Sequence, residues 1–388
     1  MASSPQLSAG TRLQPAMPRE VYVDPQAWSS ERERVLYASW FCIGRLEDLG
    51  LDRADRLAVV DVAGESVLVT SDAERVLHAT YNVCRHRGSQ VVPTEPGSPP
   101  AGCATRALRC PYHSWTYDLA GRLLRAPHTG DVDDFAPSAF GRREFDLEPV
   151  GVDTWGGFCF VHLTPSGAPT LAADLGAIPS RLDRYPLAEL VVGARFEYDV
   201  RANYKVIAEN YNECYHCGPV HPELCRLVPD FAAGGQLLDW EGGVPHRDGA
   251  WTFTMTGTST RQAFPDLDEA ERVRHKGELV YPNLLLSLSA EHVAAFVLWP
   301  LAVDRTRIVC DLLFASDEAG RDDFDPSDAA DLWDLVNRQD WAICESVQRG
   351  MSSRAYRQGW FAPMEDASAD IRRWVMPRLG LTPDGDPR

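Results

Sequence analysis

Lysine is all but absent: Lys205 and Lys276 are the only two among 38 basic residues. Positive charge is scarce overall, since 56 aspartates and glutamates leave a formal net charge of −18. A chain that acidic is poorly suited to grip nucleic acid or an anionic membrane surface. Long apolar runs are missing. The longest, residues 293–303, has 11 residues and contains Pro300, whereas a membrane-spanning helix needs about 20. Residues 1–17 hold no apolar signal core, which makes the expected location cytoplasmic. Internal repeats and long low-complexity tracts are also lacking. So are a Gly-x-Gly-x-x-Gly following a strand and the Cys-x4-Cys-x2-Cys of a plant-type iron–sulfur cluster. The chain therefore has no means of its own to take electrons from a nicotinamide.

What is present is ordinary for a soluble globular protein: 388 residues, 44% apolar and 24% charged. At about 150 residues per domain this length suggests two domains. The ten cysteines are spread along the chain rather than packed into a secreted framework. In a reducing compartment they read as thiols or metal ligands.

Residues 1–18, rich in Ser, Ala and Pro, are expected to be frayed, and residues 25–39 to form a helix. From Trp40 to about Val161 short strands alternate with turn signals. Residues 57–62 and 66–70 flank Ala63-Gly64-Glu65, and residues 115–119 and 123–124 flank Ala120-Gly121. Pro93, Pro96, Pro99 and Pro100 mark an exposed loop between Val91 and Cys103. Beyond Pro165 the pattern predicts a helix over 171–187, a strand over 191–200 and a helix over 204–215. Strands follow over 251–256, 279–288, 292–298 and 307–315, then a long helix from Ser327, as N-cap, to Gly350. The expected fold class is α+β: a small all-β domain over 41–164, then an antiparallel sheet covered by helices over 165–388. Residues 1–40 are expected to pack on the latter.

Two loops of the β domain each offer one cysteine and one histidine: Cys84-Arg85-His86-Arg87-Gly88 and Cys110-Pro111-Tyr112-His113-Ser114-Trp115. Four such ligands can hold one tetrahedral zinc. The mixed pairing fits better a two-iron, two-sulfur cluster with the cysteines on one iron and the histidines on the other.

A second constellation lies in Glu209-Asn210-Tyr211-Asn212-Glu213-Cys214-Tyr215-His216-Cys217-Gly218-Pro219-Val220-His221-Pro222. Histidines five apart do not share a face of a continuous helix, so a break at Gly218-Pro219 is expected to fold His221 back beside His216. Cys214 and Cys217 form a Cys-x-x-Cys, which alone reads as a redox pair or half a zinc site, but no matching second pair follows. A carboxylate is supplied by the long helix, whose apolar stripe Trp333, Val336, Asp340, Ile343, Val347 carries Asp340 as its single charge. A buried carboxylate is costly unless paired or bound to a metal. An arginine partner is the plain alternative; two histidines with one carboxylate make a ferrous-iron site with open positions.

Both motifs, in this order, resemble the large (alpha) subunit of a Rieske non-haem iron oxygenase of the ring-hydroxylating type. The resemblance spans nearly the whole chain, and the 23 residues between His86 and Cys110 are more than the family usually has. It implies a Rieske domain in which Cys84, His86, Cys110 and His113 hold a [2Fe–2S] cluster. It implies a catalytic domain in which His216, His221 and Asp340 hold mononuclear Fe(II). Glu213, within Glu-Cys-Tyr-His-Cys, is similar to the members that oxidise quaternary ammonium compounds such as choline, glycine betaine, carnitine and stachydrine. In the family that carboxylate joins a cluster histidine of one subunit to an iron histidine of the next. The resemblance thus implies a link from His113 of one protomer to His216 of its neighbour and a homo-oligomer, a trimer. Orientation of His216 from within the same chain is the simpler role for Glu213.

The implied activity is that of a terminal oxygenase component, which takes electrons from a separate NAD(P)H-dependent flavin/iron–sulfur reductase or a ferredoxin. With O2 it would monooxygenate a small N-methyl or quaternary ammonium substrate; the alternative is hydroxylation or dioxygenation of an aromatic ring or natural product. Asn210 and the aromatic residues Trp251, Phe253, Tyr281, Phe296 and Trp299 are the expected pocket lining, where cation–π contact would hold an ammonium group. Ordinary sheet core is the competing reading for each aromatic. A bare electron carrier leaves His216, His221 and Asp340 unexplained, and a zinc-stabilised binding protein would be colourless.

Overall fold

A computed structural model of the protein describes residues 13–94, 102–128, 144–235 and 238–382. Pro96, Pro99 and Pro100 and the first twelve residues of the expected frayed start lie outside these. Two compact units divide the chain: Leu36–Gly176, and Met1–Val35 with Ala177–Arg388.

The Leu36–Gly176 unit is all-β. Seven strands run in the order Phe41–Arg45, Phe158–His162, Pro149–Trp155, Leu77–Tyr81, Glu65–Ser71, Arg56–Val62, Cys103–Ala104, with antiparallel pairing throughout. The Arg56–Val62/Glu65–Ser71 hairpin turns on Ala63 and Gly64, at φ 50° and 99°. Positive φ at both central residues is what a two-residue turn matched to strand twist requires. A small sheet of Leu108–Arg109, Thr116–Tyr117 and Leu123–Arg125 stands beside it. One core cluster joins Leu57, Leu68, Tyr117 and Leu147 to Cys84 and Cys110, so both cysteines are anchored from below.

Composition placed the limits of this unit at 41 and 164, whereas its contacts extend from 36 to 176. Thr164 N–H donates to Tyr37 O (3.2 Å) and Trp40 Nε1–H to Pro169 O (2.9 Å), which keeps both flanks with the β unit.

The other unit is built on six antiparallel strands: Leu190–Val200, Arg305–Ala315, His292–Ala302, Leu284–Leu288, Arg274–Val280 and Val244–Pro245. The helix Tyr204–Tyr211 packs against the long helix Ser327–Met351 and the later helix Ser368–Leu379. Gly277, Ser287 and Ala294 pair in one row across three strands. Three small residues side by side leave the sheet low there.

Several expected elements differ. The helix expected over 171–187 is two short ones, Leu171–Leu175 and Ile178–Arg181, because Gly176 takes φ +55° and Pro179 can only open a new helix. The strand expected over 279–288 is a hairpin turning at 281–283, where Pro282 offers no N–H to a ladder. Residues 251–256 form no strand: Trp251 and Thr252 both donate backbone N–H groups to Gly257 O (2.8 and 3.3 Å), closing a tight turn. The helix expected to reach 215 ends at Tyr211.

The start of the chain is not frayed throughout. Gln14–Pro18 pairs with Gln358–Phe361, and Asp24 caps the helix Pro25–Glu31 by accepting Gln26 N–H at 2.8 Å. That helix widens into a π-helical turn at Arg32–Leu36. Its fully buried Glu31 pairs with Lys205 Nζ at 2.7 Å and accepts Tyr204 O–H at 2.6 Å, tying the segment to the helix Tyr204–Tyr211. Among the described residues no helix is long and apolar enough to cross a membrane.

Candidate metal centres and active site

Asn203 caps the helix Tyr204–Tyr211 by accepting Lys205 N–H at 3.0 Å. The chain leaves the helix before His216, so the break comes earlier than Gly218-Pro219, which lie inside a one-turn helix, Cys217–Val220. Glu213 is therefore not on a helical face with His216. It stands in the loop, where its carboxylate accepts the backbone N–H groups of Tyr215 and His216 and, at 2.6 Å, the His216 Nδ1–H. The next break is Pro222, which opens the helix Pro222–Leu227 and leaves His221 at the joint.

His216, His221 and Asp340 come together although 119 residues separate the last two. The two Nε2 atoms are 3.2 Å apart, and Asp340 Oδ1 stands 3.2 Å from that of His216 and 2.9 Å from that of His221. Three ligands at right angles around one ion, at about 2.1 Å each, stand about 3.0 Å from one another. The triangle fits a facial triad. Burial alone would push His216 down, but the Asp340 and Glu213 carboxylates outweigh it and raise it to about 11. Burial likewise opposes ionisation of Asp340, yet bonds from His216 and His221 hold it below the usual carboxylate range. The Asp340 and Glu213 carboxylates thus favour positive charge at the triangle, which suits a divalent metal.

A cavity of about 800 Å³ opens from this triangle, within the usual range for a small-molecule site. Asn210, Phe253, Tyr281 and Phe296 line it; Trp251 and Trp299 do not. Trp299 follows Phe296 by three positions on one strand, so alternation turns it to the opposite face. Trp251 belongs to the turn closed on Gly257 rather than to a strand. Trp240, Trp333 and Trp341 also line the cavity without having been expected to. Its lining carries Glu213, Glu241, Glu278, Asp340, Asp366 and Asp370 against Arg181 and Arg373. Arg181 is engaged by Glu278 (2.6 Å), and Arg373 by Asp366.

Gln339 was not singled out by the sequence. Its Oε1 lies 2.7 Å from His221 Nδ1, and its Nε2–H donates to Glu223 at 3.3 Å. A polar neighbour of Asp340 was the only available signal. Cys214 and Cys217 are buried; a hydrogen bond to Cys214, with burial, raises the Cys217 thiol far above its ordinary value. Burial raises the Cys214 thiol as well.

In the β unit the two ligand loops are built alike. Cys84 O accepts Gly88 N–H (3.0 Å) and Cys110 O accepts Ser114 N–H (3.1 Å). The return bonds are Cys84 N–H to Ser89 O and Cys110 N–H to Trp115 O, both 2.8 Å. Gly88 and Ser114 occupy matching left-handed positions at φ 74° and 62°. Both cysteines are buried, while His86 and His113 are exposed with ring centroids 4.7 Å apart. Trp115 stacks on His86 at 5.0 Å, and Tyr117 Oη lies 3.2 Å from Cys84 Sγ. Among the described residues only His216, His221 and Asp340 bring three ligand atoms within 4.8 Å of one another. The Cys/His set is thus spread too widely for one tetrahedral zinc and suits a two-iron unit, cysteines inward and histidines outward. Cys103 is an exposed thiol apart from it.

Known proteins share both regions. Residues 187–380 match the ring hydroxylating alpha subunit (catalytic domain), and residues 39–136 the Rieske [2Fe-2S] domain. The glycine betaine monooxygenase oxygenase subunit of Pseudomonas aeruginosa (strain UCBPP-PA14) is 28% identical over 381 residues, covering 89% of this chain and 84% of that one. The carnitine monooxygenase oxygenase subunit of Escherichia coli (strain K12) is 28% identical over 347 residues, covering 88% and 85%. Among solved structures, the quaternary ammonium Rieske monooxygenase CntA in complex with L-carnitine superposes with a TM-score of 0.70 at 26% identity, covering 96% of this chain and 97% of that one. Naphthalene 1,2-dioxygenase from Rhodococcus sp. shares the fold, with a TM-score of 0.70 at 19% identity over 94% of each chain. With a catalytic-domain match over half its length and the Rieske match before it, the chain belongs to the ring-hydroxylating alpha-subunit family and is a Rieske non-haem iron oxygenase, an enzyme of one [2Fe–2S] cluster and one mononuclear iron.

Proposed function

We propose that the chain is the oxygenase component of a system that oxidises an N-methylated, quaternary ammonium substrate. The observation that carries this reading is the His216–His221–Asp340 triangle opening into a cavity walled by aromatic rings and by more carboxylates than guanidiniums. Such a wall favours a cation: ring faces attract it directly, and carboxylates do so at longer range. The relatives' names, glycine betaine and carnitine monooxygenase oxygenase subunits, point the same way.

In this reading His216, His221 and Asp340 hold the iron, and Cys84, His86, Cys110 and His113 hold the cluster. Bound there, the two groups supply dioxygen activation and one-electron delivery. Glu213 accepts from His216 Nδ1–H, and Gln339 does the same for His221, so each ring presents Nε2. Phe253, Phe296 and Trp333 surround the ammonium group and keep water out. Monooxygenation of a methyl carbon uses one O2 and two electrons, with two protons, and releases one water. The resulting hemiaminal loses its hydroxyl proton, the C–N bond breaks, and formaldehyde leaves with the demethylated amine. A separate NAD(P)H-dependent reductase supplies the electrons. Glu213 also serves as the contact through which His113 of a neighbouring protomer in a homotrimer passes them on.

Oxygen uptake and formaldehyde are measured together, with iron-replete protein, a surrogate reductase and NADH, over methylammonium compounds and aromatic acids. Formaldehyde equal to oxygen consumed with a methylammonium compound is the expected result. Substrate-dependent uptake without formaldehyde, with oxygen found in a ring product, would overturn it in favour of ring hydroxylation.

A further inference from the structure

Behind the cavity wall runs a chain of buried polar groups. The hairpin joining the strands Leu284–Leu288 and His292–Ala302 closes with Ser289 N–H donating to His292 O at 3.0 Å, and its tip carries Glu291. Glu291 and His292 are 2% and 0% exposed. Trp333 Nε1–H donates to His292 Nε2 at 2.8 Å, and His292 Nδ1 lies 2.9 Å from Glu291 Oε1. Glu291 also accepts Thr252 O–H at 2.9 Å and Arg261 Nε–H at 3.3 Å, while Arg261 is tied further to Asp328 at 2.8 Å. An indole N–H can only donate, so His292 Nε2 is the acceptor. The imidazole is therefore neutral, with its proton on Nδ1 facing the carboxylate. A buried ionic network is a costly way to fill space that apolar side chains fill as well. This one reaches the cavity through Trp333, which lines it; Glu291 and His292 do not.

Resting on the ammonium reading above, we propose that Glu291 and His292 are positioning residues for cation selectivity. Acting through the Trp333 N–H, they fix the indole in the cavity wall and enrich its face in electrons, so that the site prefers a cation to a neutral group of the same shape.

Three features support this. Trp333 precedes Asp340 by seven residues on one helix, close to two turns, so both stand on the same face about 10 Å apart along the axis. Phe253 and Phe296 pack on the indole at 5.7 and 5.9 Å. Such ring contacts tolerate a flip about the terminal torsion, and the bond at Nε1 selects one orientation. Hydrogen bonds in a chain also polarise one another. The carboxylate behind His292 makes Nε2 a stronger acceptor, which draws on the Trp333 proton and leaves more electron density on the indole ring. A cation over the ring face gains from that density, and a neutral group does not. Because Arg261 balances the Glu291 charge, the effect travels through the hydrogen bonds rather than as a net charge.

The test uses the iron- and cluster-replete enzyme and two matched pairs of compounds: choline with 3,3-dimethylbutanol, and glycine betaine with 3,3-dimethylbutanoate. Within each pair a carbon replaces the ammonium nitrogen. Calorimetric Kd is measured for all four, with KM and kcat for those that turn over. In His292→Leu, Kd and KM for the ammonium member should rise about tenfold, while Kd for its neutral partner changes by less than about twofold and kcat is held. His292→Gln, whose side chain can accept from Trp333 and donate to Glu291, should recover most of the preference. Glu291→Gln should lose part of it, and carries the comparison if the leucine variant does not fold. In a Trp333→Phe background, which keeps a ring face but has no N–H, Glu291→Gln should no longer alter the ratio of the two affinities. Equal losses for both members of a pair, or none, would overturn the positioning role and leave the ammonium reading intact. If the wild-type enzyme binds neither ammonium compound better than its neutral partner, the ammonium reading itself falls and this inference falls with it.

Discussion

Each triad histidine offers Nε2 because a different neighbour holds its Nδ1: Glu213 for His216 at 2.6 Å, Gln339 for His221 at 2.7 Å. The first of these partners was visible in the sequence, three positions before its histidine; the second was not. Gln339 meets His221 across 118 residues of chain, and only the packing of the long helix brings it there. Sequence spacing reports local geometry well and long-range contacts poorly. Since orienting partners commonly matter 10- to 100-fold in metal affinity, Gln339→Leu should weaken iron binding by about that range. Competition of the metal-free triad against a chelator of known affinity would measure it. Cluster absorbance should not change, and an unchanged iron affinity would leave Gln339 with no orienting role.

At the scale of elements, the strongly patterned strands and the long helix were legible, but finer features depended on backbone freedom. The stripe read as Trp333, Val336, Asp340, Ile343, Val347 steps by three and four. Such a pattern averages 3.5 residues per turn and drifts about 20° per heptad against a straight helix. By its second half the buried track has moved to Cys344, Gln348 and Met351, leaving Ile343 and Val347 37% and 39% exposed. The cluster loops show the opposite case, in which one backbone angle governs the element. At Gly88 an added Cβ would meet nothing within 4 Å, so its left-handed φ of 74° is the sole obstacle to a side chain. Gly88→Ala should destabilise that loop by about 1 to 2 kcal/mol, and Gly88→Asn by less, because asparagine tolerates this conformation. The midpoint for thermal loss of cluster absorbance should fall in the order Gly, Asn, Ala. Identical midpoints for the two variants would refute the conformational argument.

For the whole molecule, composition showed where strand texture gives way to mixed structure, but not what holds the chain start, expected on the mixed domain, in place. That is decided by polar side chains buried against residues far along the sequence. Glu31 pairs with Lys205, and Tyr22 O–H donates to Glu209 at 2.5 Å, so residues 14–35 close over the helix that leads to the candidate iron site. Stability should therefore depend on pH through this seam. Burial raises the Glu209 carboxyl to about 8, against the opposing pull of Tyr22 and Lys205. In the unfolded chain it titrates near 4.3. Between these values the folded state binds the extra proton, so stability is fullest below about 4.3, falls as pH rises and levels off above about 8. Glu209→Gln keeps an acceptor for Tyr22 and removes the titration. Its stability relative to wild type should improve by up to about 4 kcal/mol between pH 5 and pH 8, at 1.36 kcal/mol per unit. Urea unfolding at both pH values, with wild type and variant in the same metal state, would show the difference. A gap that stays constant with pH would mean that Glu209 is ionised in the folded protein and that the seam is held by charge rather than by a buried neutral acid.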